Sequence, residues 1–269
     1  MMNSLLNDGG GFGPFFLASV LEAAEATVAL AGGAGLIDCK NPSAGALGAL
    51  EPIQIQSVVA AVAGRVPVSA TIGDLPCDAV VMVTAAEAVA ATGVDIVKVG
   101  FFGDGDPREA IAALGAANLG HANLGKTRLV AVLMADRAPD FSLIPLLAKA
   151  GFTGVMLDTA DKSSGALPDV LDRKTLSDFI ARAHGFGLAA GLAGSLRLDH
   201  IAGLVALSPD IIGFRGALCN GRRTNGLDAA RVTDVRDAID AAIADAKNSG
   251  SGNLQRSVAQ ISVAKRSVA

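Results

Sequence analysis

Leu36-Ile37-Asp38-Cys39-Lys40-Asn41-Pro42 is a short apolar run with an acid and an amine two residues apart, and it stops at a proline. Side chains alternate between the two faces of a strand, so Asp38 and Lys40 share one face if this run is a strand. Such a pair, where a buried strand meets a Gly-rich loop, is typical of the rim of a barrel enzyme. It is equally typical of an ordinary ion pair at a strand end.

Short apolar runs of this kind alternate with Ala-rich helical stretches eight times along the chain. The runs predict strands at residues 14–18, 36–40, 66–71, 95–100, 129–135, 154–158, 188–193 and 211–214. Strict alternation implies parallel strands joined by right-handed crossovers. A chain of 269 residues then fits a single (β/α)8 TIM barrel best. The alternative is an open doubly wound sheet, but no GxGxxG or Walker loop follows the first run.

The helical stretches predict where the barrel begins and ends. We expect helices at residues 19–31, 52–63, 79–91, 107–119, 141–150, 173–184 and 228–246. Ser19 and Glu22 have the spacing of a capping box for the first of them. The barrel domain is thus predicted over residues 14–247. A flexible extension over residues 1–13 would precede it, and a Ser-rich tail over residues 248–269, disordered or loosely docked, would follow it.

Composition excludes several classes of partner. The formal net charge is −4 with a pI near 5.3, and no basic patch is interleaved with aromatic residues, so we expect no nucleic-acid partner. Charged residues such as Glu22 and Asp95 interrupt every apolar stretch before it reaches the ~20 residues of a membrane span. Three cysteines without a CxxC pair favour a reducing, cytoplasmic location.

Polar residues fall at the ends of most predicted strands, where a barrel builds its active site. They are Asp38 and Lys40 on the second strand, Asp74 after the third, Lys98 in the fourth, Asp136 after the fifth, and Asp158 on the sixth with Lys162 in its loop. Lys98 lies in an otherwise apolar strand, so it points into the barrel or against a helix. Its structural alternative is to neutralise a core carboxylate such as Asp158.

Three lysines at one mouth indicate Schiff-base chemistry. Nearby ammonium groups or burial make a lysine amine easier to deprotonate, and the neutral amine is the nucleophile. A second amine and a carboxylate can then move protons, so no cofactor is expected. No histidine has HxH or HExxH spacing, and we expect no metal site. Asp74 and Asp136 are secondary candidates because both can instead cap loops.

The loops after the last two strands suggest a phosphate site. Gly194-Ser195 and Arg215-Gly216 offer unobstructed backbone N–H groups and one positive charge. Many barrels bind phosphate at this corner. Gly-rich turns are also common at strand ends with no ligand at all.

Several of these motifs, taken together and in order, resemble the (5-formylfuran-3-yl)methyl phosphate synthase family. The resemblance covers about residues 15–246. It rests on residues 36–42 with 45–48, residues 68–74, residues 96–100, residues 156–160 with Lys162, residues 192–196, and residues 213–217 with Cys219 and Asn225-Gly226.

The resemblance implies a lyase that joins two glyceraldehyde 3-phosphate molecules into (5-formylfuran-3-yl)methyl phosphate, with loss of phosphate and water, for methanofuran or methylofuran biosynthesis. Lys40 aligns with the family's Schiff-base lysine and Lys98 with its proton acceptor. Asp158 and Lys162 match other active-site groups, and Asp38 would orient or charge-balance Lys40.

Two alternatives stay open at this point. One is an aldolase or isomerase for another phosphosugar, and the other is a barrel that only binds or assembles. We expect a homo-oligomer that associates through its Ala-rich helix faces, in a state that the sequence does not specify.

Overall fold

The computed structural model describes residues 13–119, 126–161 and 165–266, and its centre is a closed barrel of eight parallel strands paired in chain order. This confirms the TIM barrel and excludes the open sheet. The strands are β1 (Phe15–Val20), β2 (Leu36–Cys39), β3 (Val68–Thr71), β4 (Ile96–Gly100), β5 (Arg128–Met134), β6 (Gly154–Asp158), β7 (Ala189–Leu192) and β8 (Ile211–Phe214).

Helices follow the strands and cover the outside of the barrel. They are α1 (Ala23–Ala31), α2 (Pro52–Val62), α3 (Ala79–Ala90), α4 (Pro107–Leu119), α5 (Ile144–Lys149), α6 (Leu167–Val170), α7 (Arg173–Gly185), α8 (Ile201–Val205) and α9 (Ala229–Arg266). The seven predicted helices are present. The short α6 lies inside the predicted loop 159–171, and α8 was not predicted.

The predicted capping box at Ser19 is wrong. Strand β1 continues to Val20, and α1 begins at Ala23 after Glu22, whose side chain makes no capping hydrogen bond. Ser19 is buried and lies beside Asp38 in the β1–β2 register. Its hydroxyl donates to that carboxylate instead of capping a helix, because a buried carboxylate has lost its water and needs donors, whereas the N–H groups at a solvated helix start can bind water.

Helix α9 is longer than predicted, since it runs to Arg266 rather than ending near residue 246. Gly250 and Gly252 lower helix propensity by only about 1 kcal/mol each, which does not stop a long helix. The loose docking of the tail from residue 248 stays a prediction. The predicted N-terminal extension lies outside the described residues except for Gly13.

The core has two parts, one inside the barrel and one between the sheet and the helices. The inner part is small and apolar and includes Leu17, Leu36, Val130 and Met156. The outer part is much larger and holds most of the buried Val, Leu and Ile side chains. Ser19, Asp38 and Asp158 follow Leu17, Leu36 and Met156 by two residues on their strands, so they share the inner face and lie one layer nearer the carboxyl end, where the site is built.

The described helices include none that combines the length and the apolar character needed to cross a membrane.

Candidate active site

Asp38 lies at the centre of a buried polar layer at the carboxyl end of β1 to β4. Ser19, Asp38 and Ser69 are register partners across three neighbouring strands, so their side chains enter the barrel at one level. The Asp38 carboxylate is fully buried and accepts from Ser69 Oγ at 2.6 Å, Ser19 Oγ at 3.0 Å and Lys98 Nζ at 3.0 Å. These three donors replace the water that a buried carboxylate has lost.

A second buried ion pair crosses the mouth of the barrel. Lys40 follows β2 and its Nζ donates to Asp158 Oδ2 at 3.0 Å, although the two strands lie on opposite sides of the barrel. Both residues are under a tenth exposed. The other Asp158 oxygen accepts from the backbone N–H of Thr159 at 2.7 Å.

The lysines and carboxylates are therefore paired differently from the prediction. Lys98 neutralises Asp38 and not Asp158, and Asp38 does not contact Lys40. Side chains two apart on one strand stand side by side about 6.6 Å apart along the strand, so Asp38 and Lys40 extend in parallel instead of meeting. Of the two predicted directions for Lys98, into the barrel or against a helix, the structure shows the first, because its Nζ contacts Asp38 inside the barrel.

A cavity of about 620 Å³ opens above the two ion pairs. Lys40, Lys98, Asp158 and Ser19 lie on its floor, and the loops after β7 and β8 form one wall. The structure thus brings together the predicted catalytic residues that it describes. Lys162 lies outside the described residues.

The two secondary candidates hold loops. Asp74 accepts from the backbone N–H groups of Ala46 and Leu47 in the β2–α2 loop. Asp136 accepts from those of Ala160 and Asp161 in the loop after β6. Each carboxylate thus fixes the loop that follows a neighbouring strand.

The corner formed by the loops after β7 and β8 offers backbone donors to the cavity. Gly194 has φ +112° and Ser195 has φ +50°, which turns the chain sharply at this point. A Cβ on Gly194 would lie 2.9 Å from the Thr159 nitrogen, so glycine is required there. In the described part of the chain, the N–H groups of Gly194, Ser195 and Gly216 have no acceptor.

Arg215 lines the same cavity, but its guanidinium is fully occupied. Nε donates to Arg223 O, Nη1 to Ser19 O and Glu25 Oε2, and Nη2 to Glu25 Oε1 and Asn225 O. A guanidinium has five N–H donors, and these bonds use all of them. A phosphate could reach Arg215 only by replacing one of these acceptors.

Sequence reasoning missed six polar residues of the cavity and its floor, namely Ser19, Ser69, Arg197, Asp199, Arg223 and Arg231. Ser69 had a readable signal, because alternation places it and Thr71 on one face of β3. The three arginines and Asp199 follow β7 and β8, and no motif in the sequence marks them as part of the mouth.

The cysteines do not add a nucleophile to the site. Cys39 lies on the outer face of β2, and burial, with the nearby Asp38 charge as the smaller cause, strongly raises the pKa of its thiol. All three cysteines are free and buried. The described residues also contain no group of three side chains that could hold a metal ion.

Comparisons with known proteins agree over most of the chain. A family model described as 4-HFC-P synthase matches residues 16–236. A protein of Methylorubrum extorquens, provisionally named a (5-formylfuran-3-yl)methyl phosphate synthase, is 40% identical over 84% of this chain and 92% of its own length. The (5-formylfuran-3-yl)methyl phosphate synthases of Methanosarcina mazei and Methanocaldococcus jannaschii are 36% and 35% identical over 78% and 82% of this chain, and 93% and 97% of theirs.

Solved structures show the same fold at low identity. The phosphoribosyl anthranilate isomerase of Thermus thermophilus superposes with a TM-score of 0.58 at 14% identity, over 84% of this chain and 98% of that one. KGPDC of Streptococcus mutans gives the same TM-score and identity over 85% and 98%. These likenesses support the barrel alone.

Proposed function

This chain belongs to the 4-HFC-P synthase family, and on that premise we propose that it condenses two glyceraldehyde 3-phosphate molecules into (5-formylfuran-3-yl)methyl phosphate through a Schiff base on Lys40. The observation that carries the proposal is the pair of buried Lys–Asp contacts under one cavity, Lys40 with Asp158 and Lys98 with Asp38. Two amines and two carboxylates at the same mouth supply both a nucleophile and groups that move protons.

The product's carbon skeleton constrains the chemistry. It joins carbon 2 of the molecule that keeps its phosphate to carbon 3 of the molecule that loses it. The atoms balance when one inorganic phosphate and two waters leave, with no external oxidant or reductant. In the molecule that keeps its phosphate, removal of the carbon 2 proton beside an imine makes carbon 2 nucleophilic. In the molecule that loses its phosphate, removal of the carbon 2 proton expels the phosphate from carbon 3. An imine on Lys40 promotes either deprotonation.

The two ion pairs suggest separate roles. Lys40 must lose a proton before it attacks the aldehyde, and Asp158 is the carboxylate within hydrogen-bond distance of its amine. Lys98 and Asp38 form a second unit that takes up the carbon-bound proton and returns protons to leaving oxygens. Lys162 is assigned a further active-site role on the resemblance alone.

The corner at Gly194, Ser195 and Gly216 is proposed to bind one substrate phosphate through its backbone N–H groups. Because two hydrogen bonds to Glu25 and three to backbone carbonyls use every N–H of the Arg215 guanidinium, we assign Arg215 to holding this loop in place and not to direct contact with phosphate.

Mass-spectrometric detection of the furan product from purified protein and glyceraldehyde 3-phosphate, without added metal or cofactor, tests the proposed function. Lys40→Arg keeps the positive charge but cannot form the imine, so it should give no detectable product. Lys149→Arg makes the same change at an exposed lysine on α5 and should leave the rate unchanged. Wild-type protein that forms no furan, or forms only an aldol or an isomer, would contradict the proposal.

A further inference from the structure

Six cationic side chains line the cavity, and two of them have no carboxylate partner. Lys40 pairs with Asp158, Lys98 with Asp38, Arg215 with Glu25 and Arg197 with Asp199. The remaining two are Arg223 and Arg231. Neither forms an ion pair within the described residues. An excess of two positive charges in one cavity of a chain whose net charge is −4 points to anionic ligands.

Arg223 bridges two loops of the mouth. It lies after β8, and its Nη2 donates to Pro42 O at 2.6 Å and Gly45 O at 3.1 Å in the loop that follows Lys40. These two bonds fix the guanidinium plane at the β2 side of the cavity. The corner at Gly194 and Ser195 lies between β7 and β8, so the two places are separate.

Three N–H donors of the Arg223 guanidinium are unused. They are carried by Nε and Nη1, and none of them has an acceptor among the described residues. Phosphate oxygens accept hydrogen bonds from such charged N–H groups, and these bonds are stronger than those between neutral groups. Burial is the main cause that lowers the pKa of Arg223, with Arg215 acting in the same direction, while Asp158 and Asp74 oppose it. A bound dianion would compensate this lost solvation.

We propose that Arg223 binds a substrate phosphate through its unused N–H groups and so forms a second anion site on the β2 side of the mouth. The inference rests on the proposed function, in which two phosphate-bearing molecules occupy the cavity together. Phosphate fits better than a carboxylate here, because the proposed substrates carry no carboxylate and each carries one phosphate.

Two measurements on Arg223→Gln test this assignment, with Arg222→Gln as the matched control. Arg222 is the neighbouring exposed arginine and does not line the cavity. Removing a charged hydrogen-bonding pair should weaken inorganic phosphate binding at one site about 10- to 100-fold. Phosphate titration should therefore find two bound phosphates per chain in the wild type and in Arg222→Gln, but one in Arg223→Gln.

Steady-state kinetics with glyceraldehyde 3-phosphate supplies the second readout. Arg223→Gln should raise KM about tenfold or more while kcat changes less, and Arg223→Lys should recover part of the loss because it keeps the charge. An unchanged phosphate stoichiometry and KM would overturn the assignment. So would an equal fall of kcat and thermal stability with phosphate binding intact, which would make Arg223 only a brace between loops. Phosphate titration needs no turnover, so it decides the assignment even if the proposed reaction fails.

Discussion

Asp38 is the residue on which the buried half of the site depends. Its carboxylate has no exposed surface and accepts hydrogen bonds from Ser19, Ser69 and Lys98. The two hydroxyls hold the carboxylate in place, and the fixed carboxylate orients Lys98 towards the cavity. Ser69 is thus a positioning residue, since it acts on Lys98 through Asp38.

Ser69→Ala should lower kcat about tenfold and leave KM within about twofold, because a hydrogen bond to a charged group is worth about 1.5–3 kcal/mol. Ser69→Thr keeps the hydroxyl and should restore most of the rate. Thr71→Val is the control, because Thr71 is a buried hydroxyl two residues further on that donates to Gly48 O instead. Steady-state kinetics checks all three variants. If Thr71→Val lowers kcat as much as Ser69→Ala does, the effect of Ser69→Ala does not come from the lost hydrogen bond to Asp38.

The sequence predicted which charged residues lie together at the mouth of the barrel but not which lysine pairs with which carboxylate. Strand alternation was enough to place Asp38 and Lys40 on one face, but it left Lys98 pointing either into the barrel or against a helix. Which carboxylate each lysine contacts depends on how far its side chain reaches across the barrel. That distance depends on the tilt of the strands and on their register with one another, which the sequence of a single strand does not encode. The same limit explains why Ser19 was assigned to a helix cap.

Among the elements, α1 and the loop after β8 are joined by the buried ion pair of Glu25 and Arg215. Arg215 also donates to the carbonyl of Ser19 at the end of β1. The pair lies where β8 meets β1, beside the corner that we propose to bind phosphate.

Glu25→Gln should lower the free energy of unfolding by about 3 kcal/mol, because it leaves a buried guanidinium without its counter-ion. Asp178→Asn makes the same chemical change in the exposed Lys174–Asp178 pair of α7. It should change the free energy of unfolding by less than about 0.5 kcal/mol. Urea unfolding of both variants measures the two effects. Equal losses would mean that the Glu25–Arg215 pair contributes no more than a surface pair.

Element order was predictable because apolar runs and helical stretches alternate regularly. The residues at which strands and helices end were less predictable. Strand β1 gained Ser19 because Asp38 supplies a partner for it, and α9 continued past two glycines. Helices α6 and α8 are only four and five residues long, too short to leave a periodic pattern.

Over the whole molecule, barrel closure converts separate strand ends into one site. Lys40 and Asp158 are 118 residues apart in the chain, yet their side chains meet because β2 and β6 face each other. Closure also gathers the cavity's positive charge on one end of an acidic chain. The fold itself was predictable from alternation and length. The proposed anion sites were only partly predictable, because they depend on loops that follow strands distant in sequence.

Reductive trapping is the most direct test of the imine that we propose on Lys40. The wild-type protein is treated with glyceraldehyde 3-phosphate and borohydride, and peptide mass spectrometry then locates the modified lysine. We expect a stable adduct on Lys40, its absence in Lys40→Arg, and its persistence in Lys98→Ala. An adduct on Lys98 with Lys40 unmodified, or no adduct on any lysine, would contradict the proposed imine.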